Sequence, residues 1–144
     1  MTDPAVRALL WPVLAQVALT ALVWVLLYVA RLGEMTRRRI DPQRVATSRL
    51  AAGVLEDVAA ADNFRNLFEV PVLFYAVVPL LVLAHAATGA ELALAWAFVG
   101  LRALHSLIHV GYNRVMHRFL AYVASTLCVF AMWLLLGVEL WRQS

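Results

Sequence analysis

Residues 8–30 run for 23 positions without one charged side chain. A helix rises about 1.5 Å per residue and a bilayer's hydrocarbon core is about 30 Å thick, so about 20 such residues cross it. Three more largely apolar stretches of similar length follow, at about 64–85, 91–112 and 119–140. With 64% of 144 residues hydrophobic, a water-soluble domain of this length has no interior large enough to hide them. Long unbroken runs, unlike the short alternating segments of a barrel, predict helices. The expected fold is therefore all-α: one integral membrane domain over residues 1–144, built as an up-down four-helix bundle. The first run is too long for a signal-peptide core and has no clear cleavage site after it, so it is expected to stay as a span.

Charge orients the bundle. All twelve basic residues are arginine, and six of them (Arg31, Arg37, Arg38, Arg39, Arg44 and Arg49) fall in the first connection, 31–62. Arg114 and Arg118 lie in or beside the third connection, while the second, "HAATGA", has none. The positive-inside rule predicts connections one and three in the cytoplasm and both termini on the outer side. The net charge of +3 is accounted for by this asymmetry, so no nucleic-acid partner is expected. Contact of "TRRRIDPQR" with anionic lipid headgroups is the alternative to a solvated loop.

Within the first connection, residues from Asp41–Pro42 onward are rich in Ala, Leu, Arg and Glu, and predict one helix running into the second span. Pro71 and Pro79 predict bends in that span, with room for a ligand beside them. The lone cysteine, Cys128, excludes any disulfide framework within the chain and is expected to be a small packing residue.

The third run is interrupted by "RALHSLIH". At about 100° per residue, Arg102, His105, Ser106, His109 and Asn113 share one face. The same arithmetic groups Asp62, Arg65, Asn66 and Glu69 at the start of the second span. Arg118 and Tyr122 lie one turn apart at the start of the fourth. A mid-helix arginine costs about 2.5–3.5 kcal/mol on insertion scales unless it is paired or hydrated, and Glu69 is the obvious counter-charge, with Asn66 a neutral partner. Interhelical hydrogen bonds in membranes contribute only about 0.6–2 kcal/mol each, so polar packing alone repays that cost poorly. Arginines bind carboxylates and stabilise thiolates. The pattern points to a small anionic cosubstrate from the cytoplasm meeting a lipophilic partner held in the bilayer. His105 and His109, four apart, could instead grip one metal with Glu69, but Arg102 beside them opposes a cation; no metal site is assigned.

Three motifs then fall into register. "NFRNLFEVPVLF" resembles the Arg-Asn-x-x-Glu signature of the second helix in the MAPEG family, the membrane-associated proteins in eicosanoid and glutathione metabolism. "RALHSLIH" is similar to its third-helix motif Arg-x-x-His-[Ser/Thr], and "RFLAY" to its fourth-helix Arg-x-x-x-Tyr. Order, spacing and topology agree over about 31–138. The resemblance, to a bacterial-type member, implies a multi-pass protein of the bacterial inner membrane. It also implies a homotrimer with glutathione bound as cosubstrate between subunits. By position, Arg65, Asn66, Glu69, Arg102, His105 and Tyr122 would hold glutathione, with Arg31 a looser match. Arg118 would stand by the sulfur and stabilise its thiolate, with Ser106 a second donor to it. The activity implied is transfer to a lipophilic electrophile or reduction of a hydroperoxide; the alternative is a non-catalytic lipid or glutathione binder of the same fold. His109 stands where the family usually carries tyrosine, which leaves its contact with the tripeptide open.

Overall fold

The first helix, α1 (Pro4–Arg38), is 35 residues long, about 52 Å at the usual rise. It outruns the bilayer core and carries Arg37 and Arg38 in its last turn, where the helix dipole favours cations. It stops at Arg39, which turns left-handed (φ 51°), so that Ile40 N–H reaches back to the Met35 carbonyl at 2.9 Å. The computed structural model describes residues 4–56 and 59–144.

The expected single helix after Asp41 is instead several short pieces. Asp41 accepts from Gln43 N–H and caps a 3-10 turn, Pro42–Val45; Thr47 accepts from Leu50 N–H and starts α2 (Ser48–Val54) afresh. Side chains that satisfy free N–H groups here compete with helix continuation. Leu55 then leaves the helix with ψ 137°, and the part of the expected helix at 57–58 lies outside the described residues. Glu34 holds this segment to α1: its buried carboxylate takes Arg38 Nη1 at 2.5 Å and Glu56 N–H at 2.9 Å.

The second apolar run is split into α3 (Ala59–Asn66) and α4 (Val70–Leu83). Pro71 accounts for the split. Its ring has no N–H and clashes with the carbonyl four residues back, which belongs to Leu67. The chain accordingly turns at 67–69, with Glu69 at φ −90°, ψ −99°. Pro79, by contrast, sits inside α4 without ending it.

Thr88 and Glu91 form a capping box that opens α5 (Gly89–Val110). The turn after α5 brings the chain straight back as α6 (Val115–Gln143). Gly111 is required there, since a Cβ would sit 2.8 Å from the Leu107 carbonyl oxygen.

Among the described residues, helix accounts for 86% and no strand is present. Four helical segments are long and apolar enough to cross a membrane: Pro4–Arg38, Ala59–Leu83, Gly89–Val110 and Val115–Gln143. The all-α four-helix architecture expected from the apolar runs is the one observed. Its apolar core lies toward the 84–88 turn, where Leu9, Phe74, Phe98, Val129 and Met132 are buried and the Phe74 and Phe98 rings stack at 4.5 Å. Many large side chains, Trp11, Leu83, Leu107, Leu134 and Trp141 among them, face outward, as lipid contact requires.

Candidate functional site

The buried face of α5 changes character along its length. Ala95, Phe98 and Val99 enter the apolar core, and Arg102, His105, Ser106 and His109 continue the same face. Arg102 is 0% exposed and His105 and His109 are each 2% exposed. These three side chains are oriented by α3, α6 and the turn between α5 and α6.

Arg102 does not pair directly with Glu69, as the sequence suggested. Its Nη2 donates to the backbone carbonyl of Asn66 at 2.6 Å, and no ion pair between Arg102 and Glu69 is found among the described residues. The helix break makes this bond available, because Asn66 is the last residue of α3 and its carbonyl points past the end of that helix. It is thus the main chain of Asn66, and not its amide, that receives the arginine. Tyr122 stands between the two charges: the Arg102 guanidinium lies over its ring at 5.4 Å, and its hydroxyl donates to Glu69 Oε2 at 3.3 Å. Arg102 Nε and Nη1 are buried with no hydrogen-bond partner.

His105 and His109 both meet Arg118. The Arg118 carbonyl can only accept, so His105 Nδ1, 3.0 Å away, carries a proton. Arg118 Nη1 can only donate, so His109 Nε2, at 3.1 Å, is the acceptor. The same Nη1 donates to Asn113 Oδ1 at 2.8 Å. Asn113 is left-handed (φ 47°), a conformation that asparagine tolerates better than most residues. Its N–H bonds to the Ile108 carbonyl at 2.8 Å. Helical arithmetic put Asn113 on the α5 stripe; it lies instead beyond the helix end and still reaches the same guanidinium. The His105 ring completes the cluster, 5.8 Å from Tyr122 and 5.7 Å from His109 between centroids.

Ser106 points elsewhere. Its hydroxyl donates to Asn63 Oδ1 at 3.1 Å, and both residues are buried. Asn63 escaped notice in the sequence. Its signal was the spacing to Asn66, one turn on along α3. Gln16, wholly buried midway along α1, was also missed.

Arg31 and Arg65 line a different cleft, of about 540 Å³, between α1, α2 and α3, with Ser48, Asp62 and Tyr28 among its walls. Arg65 pairs there with Asp62 at 3.4 Å. Within the chain, then, Asn66, Glu69, Arg102, His105, His109, Arg118 and Tyr122 come together, and Arg31 and Arg65 form a second basic group. The first cluster offers fixed cationic donors at one end of an apolar bundle, which can stabilise an anion, and it presents no carboxylate pair for acid–base work.

Comparison with known proteins agrees with the motifs. The family model described as "MAPEG family" matches residues 9–138, nearly the whole chain. No curated protein and no solved structure gives a match.

Proposed function

We propose, from the premise that this chain belongs to the MAPEG family and is accordingly a multi-pass membrane protein, that it is a glutathione-dependent transferase or peroxidase. The family includes such enzymes alongside other members. The observation that carries the reading is the convergence of Arg102, Arg118 and the Tyr122–Glu69 pair, from three helical segments, at one end of the bundle.

In this reading Arg118 stabilises the glutathione thiolate. A free thiol ionises near pH 8.5, and an adjacent guanidinium favours the anion. The thiolate sulfur then attacks an electrophilic carbon, forming an S–C bond as the leaving group departs with its electrons. With a hydroperoxide it instead cleaves the O–O bond; a second glutathione completes the reduction to alcohol and water, leaving the disulfide. Arg102, His105, Asn66, Glu69 and Tyr122 bind and orient the tripeptide. Ser106 serves as a second donor to sulfur only by exchanging Asn63 for it.

Arg31 and Arg65 face a separate cleft, and in this reading they join the site across the subunit boundary of a homotrimer that holds glutathione between protomers. The arginine-rich end of the bundle faces the cytoplasm, both termini lie on the outer side, and the membrane is the bacterial inner one. A second reading, a non-catalytic lipid or glutathione binder, is favoured by one observation: the Ser106 proton is already held by Asn63.

The test is glutathione binding and turnover, with a chloronitrobenzene and with a lipid hydroperoxide, on detergent-purified wild type and Arg118→Ala. Arg118→Ala is expected to lose about 100- to 1,000-fold in turnover, the usual cost of removing a preorganised donor. Wild type that binds glutathione without turnover selects the binder; wild type that does neither overturns both.

A further inference from the structure

Arg118 is the fourth residue of α6, in the first turn of that helix. The positive end of the helix dipole disfavours a cation there, so the guanidinium needs acceptors from outside its own helix. Two are supplied, both on Nη1: His109 Nε2 at 3.1 Å and Asn113 Oδ1 at 2.8 Å. The backbone is held too, by His105 Nδ1 on the Arg118 carbonyl at 3.0 Å. Thus α5 and the turn that ends it grip Arg118 at its main chain and at one end of its fork.

We infer that His109 is a positioning residue: a neutral imidazole that, with Asn113, aims the Arg118 guanidinium at the reacting anion instead of touching the tripeptide itself. The inference rests on the glutathione reading above and assigns a role to the position where this chain departs from the family tyrosine. Because arginine stays protonated and cannot accept, Nε2 must be the acceptor and the ring proton sits on Nδ1. His109 is 2% exposed, so its orientation is set by packing on α5 and not by solvent. With Nη1 occupied by these two acceptors, the remaining N–H groups of the fork are free to meet an anion.

Two ligands separate positioning from general loss of structure. Glutathione sulfonate carries a fixed negative charge where the thiolate would be, and S-methylglutathione carries none. His109→Phe keeps a ring and removes the acceptor. It is expected to weaken sulfonate binding about tenfold to a hundredfold, the range for losing a hydrogen bond to a charged group, and to leave S-methylglutathione binding unchanged. His109→Gln, whose Oε1 can accept, is expected to restore the sulfonate preference to within about threefold of wild type. A His109→Phe protein that keeps the wild-type preference overturns the inference, as does equal loss of both ligands. Wild type that binds neither ligand overturns the glutathione reading instead, so the two failures are distinct. A measurement without any variant backs this up. Nitrogen-15 NMR of the His109 ring at neutral pH is expected to show the Nδ1–H neutral tautomer, and an Nε2–H or doubly protonated ring overturns the assignment.

Discussion

The two halves of α5 teach different things about the same face of one helix. From Ala95 to Val99 that face is closed by Phe74, Val129 and Met132, and apolar side chains fill it. From Arg102 to His109 it meets a helix end, a tight turn and the start of α6, and Arg102, His105, Ser106 and His109 make it polar. What differs is the backbone opposite. Continuous helix offers no free polar groups, so the first half is apolar. The α3–α4 break frees the Asn66 carbonyl, and the Arg118 carbonyl in the first turn of α6 accepts on a second lone pair, so the second half can hold donors at a depth where they would otherwise be costly. Packing belongs to one half, and donors able to meet an anion to the other.

That division can be broken by substitutions on either side. The largest effect on stability is expected from Phe74→Ala, about 3–5 kcal/mol for truncating a fully buried aromatic ring. Unfolding in mixed micelles should register this loss, and calorimetry should find unchanged glutathione affinity in the folded fraction. If affinity falls in step with stability, the two halves are not separable. Arg102→Ala is expected to lower both quantities. Stranding the Asn66 carbonyl costs about 1–3 kcal/mol, and glutathione affinity should drop tenfold or more, by about the same energy. Unchanged affinity would remove Arg102 from the binding group. The smallest effect concerns Ser106 and Asn63. A double-mutant cycle is expected to give a coupling of about 0.6 kcal/mol, typical of one membrane hydrogen bond. Ser106→Ala that abolishes turnover while Asn63→Ala does not would return the hydroxyl to the ligand.

Much of this was legible before any coordinates. The period of 3.6 put Arg102, His105, Ser106 and His109 on one face, and the apolar runs gave four membrane-length helices. Pro71 announced a bend. The partner of Arg102 was not legible, because a side-chain pattern names carboxylates and amides and says nothing about which main-chain carbonyl a helix break will expose. The division of the first connection was missed for a local reason: Asp41 caps a helical turn where its place before Pro42 put a helix start, but Thr47 caps a second helix that the alanine-rich composition hides. Asn113 was on the right side for the wrong reason, reaching Arg118 from a turn and not from the stripe.

The proline break also bears on how the protein is made. At 14 residues α4 spans about 21 Å, less than the hydrocarbon thickness, and the segment before it ends in a carbonyl that lipid cannot satisfy. The donor that satisfies it is encoded 36 residues later. During synthesis the second span therefore reaches the bilayer before its stabilising contact exists. It is expected to wait beside the insertion machinery until the third span emerges, the two entering together as a hairpin.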